Sequence, residues 1–465
     1  MKKTFELIAP CHFGMEAVLK REITDLGYDI TLVEDGRVTF IGDEETICRA
    51  NIFLRTAERV LLKVGSFHAE SFEELFQNTR SIPWEEYIPQ DGKFWVAKAS
   101  SIKSKLFSPS DIQSIMKKAM VERLKNRYGV TWFPENGASY PLRVFLYKDM
   151  VTVGIDTSGE SLHKRGYRTL TSKAPITETL AAALILLTPW NRDRILVDPF
   201  CGSGTFPIEA AMMAANMAPG MNRSFLAEEW RNVIKRKCWY EAMDEAGDLV
   251  EEDVQVDIQG YDVDGDIVKA ARSNAQSAGV DHMIHFQQRP VSALSHPKKY
   301  GFIISNPPYG ERIEEKENLP ALYKEIGERF AALDAWSMYL ITSYEDAQKY
   351  TRWDIAAEIC SIIDDYVDFK TRTGETDPYK ELLLARTCAN SFRIGEKKCY
   401  VLSGDNLFVL PTLRNAMQTI IRDKTHLTER CEAVLADLSG PLATPLEPTE
   451  EELNPPPPPK KEYRL

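Results

Sequence analysis

Apolar positions change their spacing twice along this 465-residue chain. Near the start they alternate. "KTFELIA" and "GRVTFIG" put apolar residues at every second position, the period of a half-buried strand. Between them, "GMEAVLKREITDLGY" spaces its apolar residues three and four apart, which predicts a helix stopping at Gly27. "DEETICRANIFLR" predicts a second helix with acids in its first turn, where they complement the helix dipole. Residues 1–65 therefore read as a small α+β unit.

Residues 66–158 keep a mixed pattern. "FWVAKAS" reads as a strand. "SPSDIQSIMKKAMVERLKNRYG" reads as a long helix capped by Ser108 or Ser110, with basic residues toward its C-terminus. "YPLRVFLYKDMVTVGIDTSG" predicts a hairpin turning near Lys148 and Asp149. The second change comes after Gly154. "RILVDPF", "VQVDIQGYD", "MIHFQQ", "YGFIIS" and "WSMYLITS" are nearly continuous apolar runs separated by helical stretches. That alternation predicts a doubly wound α/β fold with a parallel sheet over 159–350. Ligands of such sheets sit at the carboxyl ends of the strands. From Thr351 the pattern lapses, and 351–465 is left as a segment of open assignment. It closes on "LNPPPPPKKEYRL", whose prolines favour an extended polyproline II tail.

Charge sharpens the division. The chain is acidic overall, at −12. Yet residues 101–173 hold 13 Lys/Arg against 6 Asp/Glu, while over 174–350 acids exceed bases by 10. A basic segment beside an acidic body suits an anion-binding module, although solvated helix faces give the same count. The eight cysteines form no C-x-x-C pair and read as free thiols. His282 and His285 lack companion ligands, so no metal site is expected. No apolar run reaches the ~18 residues of a membrane span, and "MKKTFELIAPCHFG" lacks a signal peptide's h-region. A cytoplasmic protein without membrane attachment is expected.

Three short stretches carry chemistry. In "VDPFCGSGTFPIEAA", Asp198 ends a strand, Gly202 and Gly204 permit a tight turn, and the next helix offers its amides to a ligand. No Lys-Ser/Thr follows, which disfavours a triphosphate and leaves a nucleoside open. In "IQGYDVDGD", Asp262 ends the next strand. It suits either a helix cap or a partner for ribose hydroxyls. "SNPPYGER" ends the fourth strand. It reads as a proline-stopped strand, or as a rigid acceptor set: Asn306 brings a side-chain carbonyl, Pro307 and Pro308 bring fixed carbonyls, and Tyr309 brings a flat face. Acceptors beside an aromatic plane fit a planar group bearing an NH2, whose lone pair they can orient.

"DPFCGSG", "GYDVDGD" and "NPPYGER", in this order and with "LHKRGYR" and "APITETLAAALI" upstream, resemble the 23S ribosomal RNA guanine-N2 methyltransferases. These are S-adenosylmethionine-dependent enzymes bearing a THUMP domain. The resemblance implies a Rossmann-like class I methyltransferase domain preceded by an α+β ferredoxin-like unit and a THUMP RNA-binding domain. It also implies that Asp198, Cys201, Gly202 and Gly204 cradle the methionine part of S-adenosyl-L-methionine, with Ala174, Pro175 and Glu178 nearby, and that Asp262 holds the ribose. Asn306 and Pro307 would grip the guanine N2, and Tyr309 would stack on a base drawn from its stack. Lys164, Arg165, Arg168 and Arg312 would meet RNA phosphates. The partner would be 23S ribosomal RNA, met as a precursor or assembly intermediate.

The chain departs from this pattern twice. "FQQRPVSAL" has Gln288 where an acid often lies near the adenine, and no basic Asn-Gly hairpin follows the fifth strand. The last two strands of the sheet are thus not placed by sequence. Within the class, a tRNA guanine or another amine, a DNA adenine included, is the alternative substrate. Outside it, the alternative is a non-catalytic RNA-binding assembly factor.

Overall fold

The computed structural model describes residues 3–168, 175–310, 317–333, 336–344, 347, 361–363, 365–367, 369–370, 392–394, 397–403, 409–423 and 426–437. Arg312, Ala174 and the proline-rich tail lie outside these residues.

The alternating segments of the first half become strands of one sheet. β1 (Phe5–Pro10), β2 (Ile30–Glu34) and β3 (Arg37–Gly42) bury Leu7, Ala9, Val38 and Phe40 beneath α1 (Glu16–Asp25) and α2 (Glu44–Phe53). A reciprocal cap starts α2. The Asp43 carboxylate accepts the Glu45 and Thr46 amides, and Thr46 Oγ1 accepts the Asp43 amide. The sheet continues through β4 (Leu61–His68), β5 (Lys93–Ile102), β6 (Ser139–Tyr147) and β7 (Met150–Asp156), with α3 (Phe72–Ser81) and α4 (Pro109–Tyr128) packed on it. Its strand order is β2-β3-β1-β4-β7-β6-β5. Ser108 caps α4, and Gly129, at φ +66°, ends it. Lys148 and Asp149 make the expected turn with φ of +50° and +63°, the left-handed pair of a two-residue hairpin.

The second sheet follows α5 (Glu178–Leu187). Its strands are β8 (Ile195–Asp198), β9 (Ile258–Asp262), β10 (Ile284–Gln288), β11 (Gly301–Ser305) and β12 (Ser337–Thr342), all parallel. Between them run α6 (Thr205–Ala214), α7 (Arg236–Asp248), α8 (Gly265–Ala278) and α9 (Leu319–Ala331). Two strands from beyond residue 350 finish the sheet. β14 (Lys397–Ser403) pairs antiparallel with β12 and with β13 (Phe392–Ile394), giving the order β10-β9-β8-β11-β12-β14-β13. The hairpin missed in the sequence is "FRIGEKKCYVLS". It has Gly-Glu where Asn-Gly was sought, and masked by Lys397 and Lys398 it does not read as an apolar strand. No helix among the described residues is long and apolar enough to cross a membrane.

The two halves share one core. It runs from Leu7 and Leu19 through Trp84 and Met116 to Ile208, Trp239 and Phe286. The segment between α6 and α7 staples the halves together: Trp230 stacks on Tyr140 at 4.8 Å and donates Nε1 to the Ser139 carbonyl at 2.9 Å. From α7, Glu245 takes Arg49 in two hydrogen bonds of 2.8 and 2.9 Å. The connecting motif "LHKRGYR" threads beneath this segment. Gly166 has φ +96°, and a Cβ there would lie 2.3 Å from the Asn222 carbonyl oxygen, so no other residue fits.

Arg165 is 2% exposed. Its guanidinium faces Glu209 of α6 at 3.4 Å through two nitrogens and donates to the carbonyls of Leu162 and Arg55. Tyr167 donates to the same carboxylate at 3.1 Å. Breaking a buried pair from one side leaves a charge without a partner. Arg165→Met should therefore cost about 3–5 kcal/mol in a denaturant melt, and adding Glu209→Leu should recover most of it.

Candidate active site

The second sheet reverses direction between β8 and β11, since β9 and β10 lie to one side and β12 to the other. Crevices for ligands open at such a reversal, at the carboxyl ends. Asp198 closes β8 there and is 1% exposed. Its Oδ1 accepts the Phe200 amide at 3.1 Å and the hydroxyl of Ser305, which ends β11, at 2.5 Å. One hydrogen bond thus ties the two strands that flank the crevice. Burial raises the Asp198 pKa from 3.8 to about 7, against the pull of the Ser305 and Phe200 hydrogen bonds, and the Asp262 charge adds to the rise.

The glycine turn follows. Gly202 (φ +50°) and Gly204 (φ +90°) hold left-handed backbone, and Gly204 stands at the start of α6. The Cys201 amide donates to the Tyr261 carbonyl at 2.8 Å, joining the turn to β9. Burial, with Asp198 and Asp262 beside it, keeps the Cys201 thiol neutral. Asn274 of α8 donates to the Ser203 carbonyl at 3.1 Å, while the Ser203 hydroxyl is buried with no partner among the described residues.

Asp262 is partly buried, and its two oxygens accept the amides of Gly202 (3.1 Å) and Asp264 (3.0 Å). Burial raises its pKa too. The helix cap is Asp264, whose carboxylate accepts the Asp266 amide at 2.8 Å. The two uses open for Asp262 in the sequence are thereby separated: it sits in the crevice beside the glycine turn, and its neighbour caps α8. Gln288 ends β10 and donates to the Val263 carbonyl at 3.0 Å, so it braces the loop carrying Asp262.

Asn306 follows β11. Its Oδ1 is buried and accepts no hydrogen bond from the described residues. Pro307 is buried, Tyr309 half-buried. Of the two proline carbonyls expected as acceptors, that of Pro308 is taken by the Tyr323 hydroxyl at 3.1 Å, which also meets Thr342 Oγ1 at 2.6 Å. Tyr323 thus fixes the loop from behind. In the sequence it reads only as an apolar helix position.

The basic residues divide. Lys164 is exposed and meets Glu160 at 3.0 Å. Arg165 is sealed against Glu209 and offers nothing to a phosphate, which corrects its expected role. Arg168 is also turned inward: its Nε lies 3.0 Å from Glu178, and Nη2 donates to Thr205 Oγ1 at 2.7 Å and to the Ile176 carbonyl at 3.1 Å. It braces the starts of α5 and α6, and Glu178 is its buried counterion. Pro175 lies just ahead of α5. Arg223 escaped the sequence reading. It donates to the carbonyls of Glu160, Ser161 and Lys164 at 2.7–2.9 Å and so holds the connecting motif in place. A cavity of about 860 Å3, lined in part by His163, Lys164, Arg168, Glu178, Arg223 and Phe225, opens between that motif and the inserted segment.

Two carboxylates raised by burial and an unsatisfied hydroxyl suit a cationic ligand with hydroxyls, and left-handed glycines let it approach the backbone. S-adenosylmethionine, with its ammonium, sulfonium and ribose, fits this donor set. A parallel sheet with this crevice and an antiparallel seventh strand defines a Rossmann-like methyltransferase. Family models match an RlmL ferredoxin-like domain over residues 6–61, a THUMP domain over 69–156 and an RMKL-like methyltransferase domain over 165–359. The chain belongs to this THUMP-bearing RMKL-like methyltransferase family, and S-adenosylmethionine is its cofactor. It is 46% identical over 349 residues to a Bacillus subtilis protein named "Putative RNA methyltransferase YpsC", covering 75% of this chain and 90% of that one. It is 34% identical to the Ribosomal RNA large subunit methyltransferase K/L of Cellvibrio japonicus, over 70% of this chain but only 45% of that longer protein. Among solved structures, SMU.472 complexed with SAH matches at TM-score 0.71 and 44% identity, over 76% of this chain and 93% of that one. A Listeria monocytogenes protein described as a predicted N6-adenine-specific DNA methylase matches at TM-score 0.74 and 40% identity, over 86% and 96%.

The Asp198 shift has a measurable sign. Its pKa is raised in the fold, so the site costs nothing below the ordinary value of 3.8 and destabilises increasingly as pH climbs to about 7. Without cofactor, Asp198→Asn should melt at or below the wild-type temperature at pH 4.5 and above it at pH 8. Equal offsets at both pH values would count against a buried, neutral Asp198.

Proposed function

We propose that this chain methylates the exocyclic N2 amine of a guanine in large-subunit (23S) ribosomal RNA. One observation carries the amine reading: Asn306 Oδ1 is a buried acceptor at the crevice with no donor among the described residues. Such an atom costs about 1–3 kcal/mol unless something satisfies it. An N–H of a substrate amine would do so.

In this reading Asp198, the 201–204 turn, Asp262 and the start of α5 would hold S-adenosylmethionine, which when bound supplies an electrophilic methyl group. Asn306 accepts one amine hydrogen and turns the nitrogen lone pair out of conjugation. Pro307, fixed in φ, holds that acceptor still. Tyr309 offers its ring to the base. No strong base stands among the described residues of the loop, and the amine proton leaves to water after transfer. Lys164, exposed at the cavity mouth, and Arg312 would meet phosphates.

The RNA substrate is favoured by the THUMP match and by the names of the Bacillus and Cellvibrio relatives. The description of the Listeria neighbour supports a second reading, a DNA adenine, whose amine would suit Asn306 equally. The proposal divides the labour at about residues 65 and 158: the first two units capture RNA, and the third, completed by β13 and β14, transfers the methyl group. It places the chain in the cytoplasm, acting on a ribosomal precursor or assembly intermediate.

Incubation with labelled S-adenosylmethionine and unmodified 23S RNA should yield N2-methylguanosine by mass spectrometry. Asn306→Ala should lower transfer by about 100-fold or more while cofactor binding, measured by calorimetry, persists. Undiminished transfer would remove Asn306 from the mechanism, label in DNA adenine would favour the second reading, and no cofactor binding would favour an assembly factor. Cofactor affinity should also fall as pH drops below about 7, because a neutral Asp198 no longer attracts an ammonium. Asp198→Asn should flatten that dependence.

A further inference from the structure

The helices α1 to α4 cover only one face of the first sheet, and its other face carries a pattern with a chemical meaning. Along β6, Leu142, Val144 and Leu146 point into the core, so Arg143, Phe145 and Tyr147 point away from it. Their partners on β5 are Lys98, Ser100 and Ile102, and Trp95 is paired to Pro141 one step before a bulge. The rings of Trp95 and Tyr147 remain exposed, at 37% and 38%.

Each of the three rings on this face has a cation against it. Lys93 Nζ lies 5.7 Å from the centre of Trp95, Arg37 4.8 Å from Phe145, and Lys148 5.1 Å from Tyr147. Arg37 belongs to β3, four places from β6 in the strand order. Flat strands would separate them by roughly 19 Å, so the sheet must coil toward this face and make it concave. The crease is filled by Ile8, Thr39 and Leu61, all buried on the side without helices.

The charges on this face are unequally matched. Arg37 is neutralised by Glu34 and Arg143 by Asp156. Lys93, Lys98 and Lys148 are exposed, and no carboxylate of the described residues pairs with them. Exposed rings interleaved with unneutralised lysines on an open sheet match a flexible polyanion with flat groups. Successive bases stack on such rings while phosphates meet the cations, and a duplex hides its bases from that contact.

We infer that this concave face binds a single-stranded segment of RNA, with bases on Trp95 and Tyr147 and phosphates on Lys98 and Lys148. The inference rests on the RNA reading above and adds where, apart from the crevice, the RNA is held. Phe145, under Arg37, forms the floor.

The test uses the full chain and a short, end-labelled RNA of mixed sequence, single-stranded or annealed, followed by fluorescence anisotropy. Wild-type should prefer the single strand. Tyr147→Ala and Trp95→Ala should each weaken it about tenfold, and Lys98→Ala should reduce the slope of log affinity against log salt by about 0.7. Thermal melts check folding, and cofactor binding should stay unchanged in all three. If wild-type methylates RNA while these variants bind single strands undiminished, the face proposal falls and the functional reading stands. Equal binding of duplex, insensitive to the three substitutions, overturns it likewise, as does a self-association lost in Tyr147→Ala with RNA binding intact. If wild-type binds and methylates no RNA, both fall.

Discussion

The architecture depends on a buried carboxylate. Glu209 sits within α6, the helix that follows the glycine turn, with no access to water. It is tolerable only because Arg165 and Tyr167 come from the connecting motif to meet it. That pairing fixes the motif against α6. Arg168, three residues on, then reaches Glu178 and Thr205, so the starts of α5 and α6 are locked around the crevice. Arg223 and Gly166 close the same motif from the opposite side. The front half is therefore a fixed wall of the catalytic half, continuous with its core.

The crevice follows from this frame. Parallel strands leave their last residues at one edge, and the reversal between β8 and β11 spreads them apart. Asp198 and Ser305 bridge the gap with a single short hydrogen bond, and Gly202 carries the Asp262 carboxylate on its amide. Asp198, Cys201, Gly202 and Asp262, expected to touch the cofactor, each also hold a neighbour. The acceptor Asn306 Oδ1 and the Ser203 hydroxyl differ, since the protein itself gives neither a partner among the described residues. On the reading proposed above, substrate and cofactor satisfy them.

Much was legible before the fold was seen, and the particular residues show why. Strand ends, glycine turns and capping residues are local: Asp198, Gly202, Gly204, Asp262 and Asn306 could be placed because neighbours in sequence determine their backbone. The turn at Lys148 and Asp149 and the cap at Ser108 are of the same kind. The closing hairpin was missed because β14 carries Lys397, Lys398 and Cys399 in place of an apolar run, so its identity comes from pairing with β12. Tyr323 was missed because a tyrosine on an apolar helix face looks like core until Pro308 and Thr342 meet its hydroxyl.

The sequence by itself determined the periodicities, the order of the three motifs and the family they resemble. Tertiary structure decided what each charge is for. "LHKRGYR" reads as a run of cations awaiting phosphates, yet of these only Lys164 faces solvent, where its ammonium meets Glu160. Arg165 and Arg168 are consumed by Glu209 and Glu178, residues 44 and 10 positions away. A charge's role depends on its dielectric surroundings and its partner. Both are set by which distant segments fold over it, and no local pattern of residues records that.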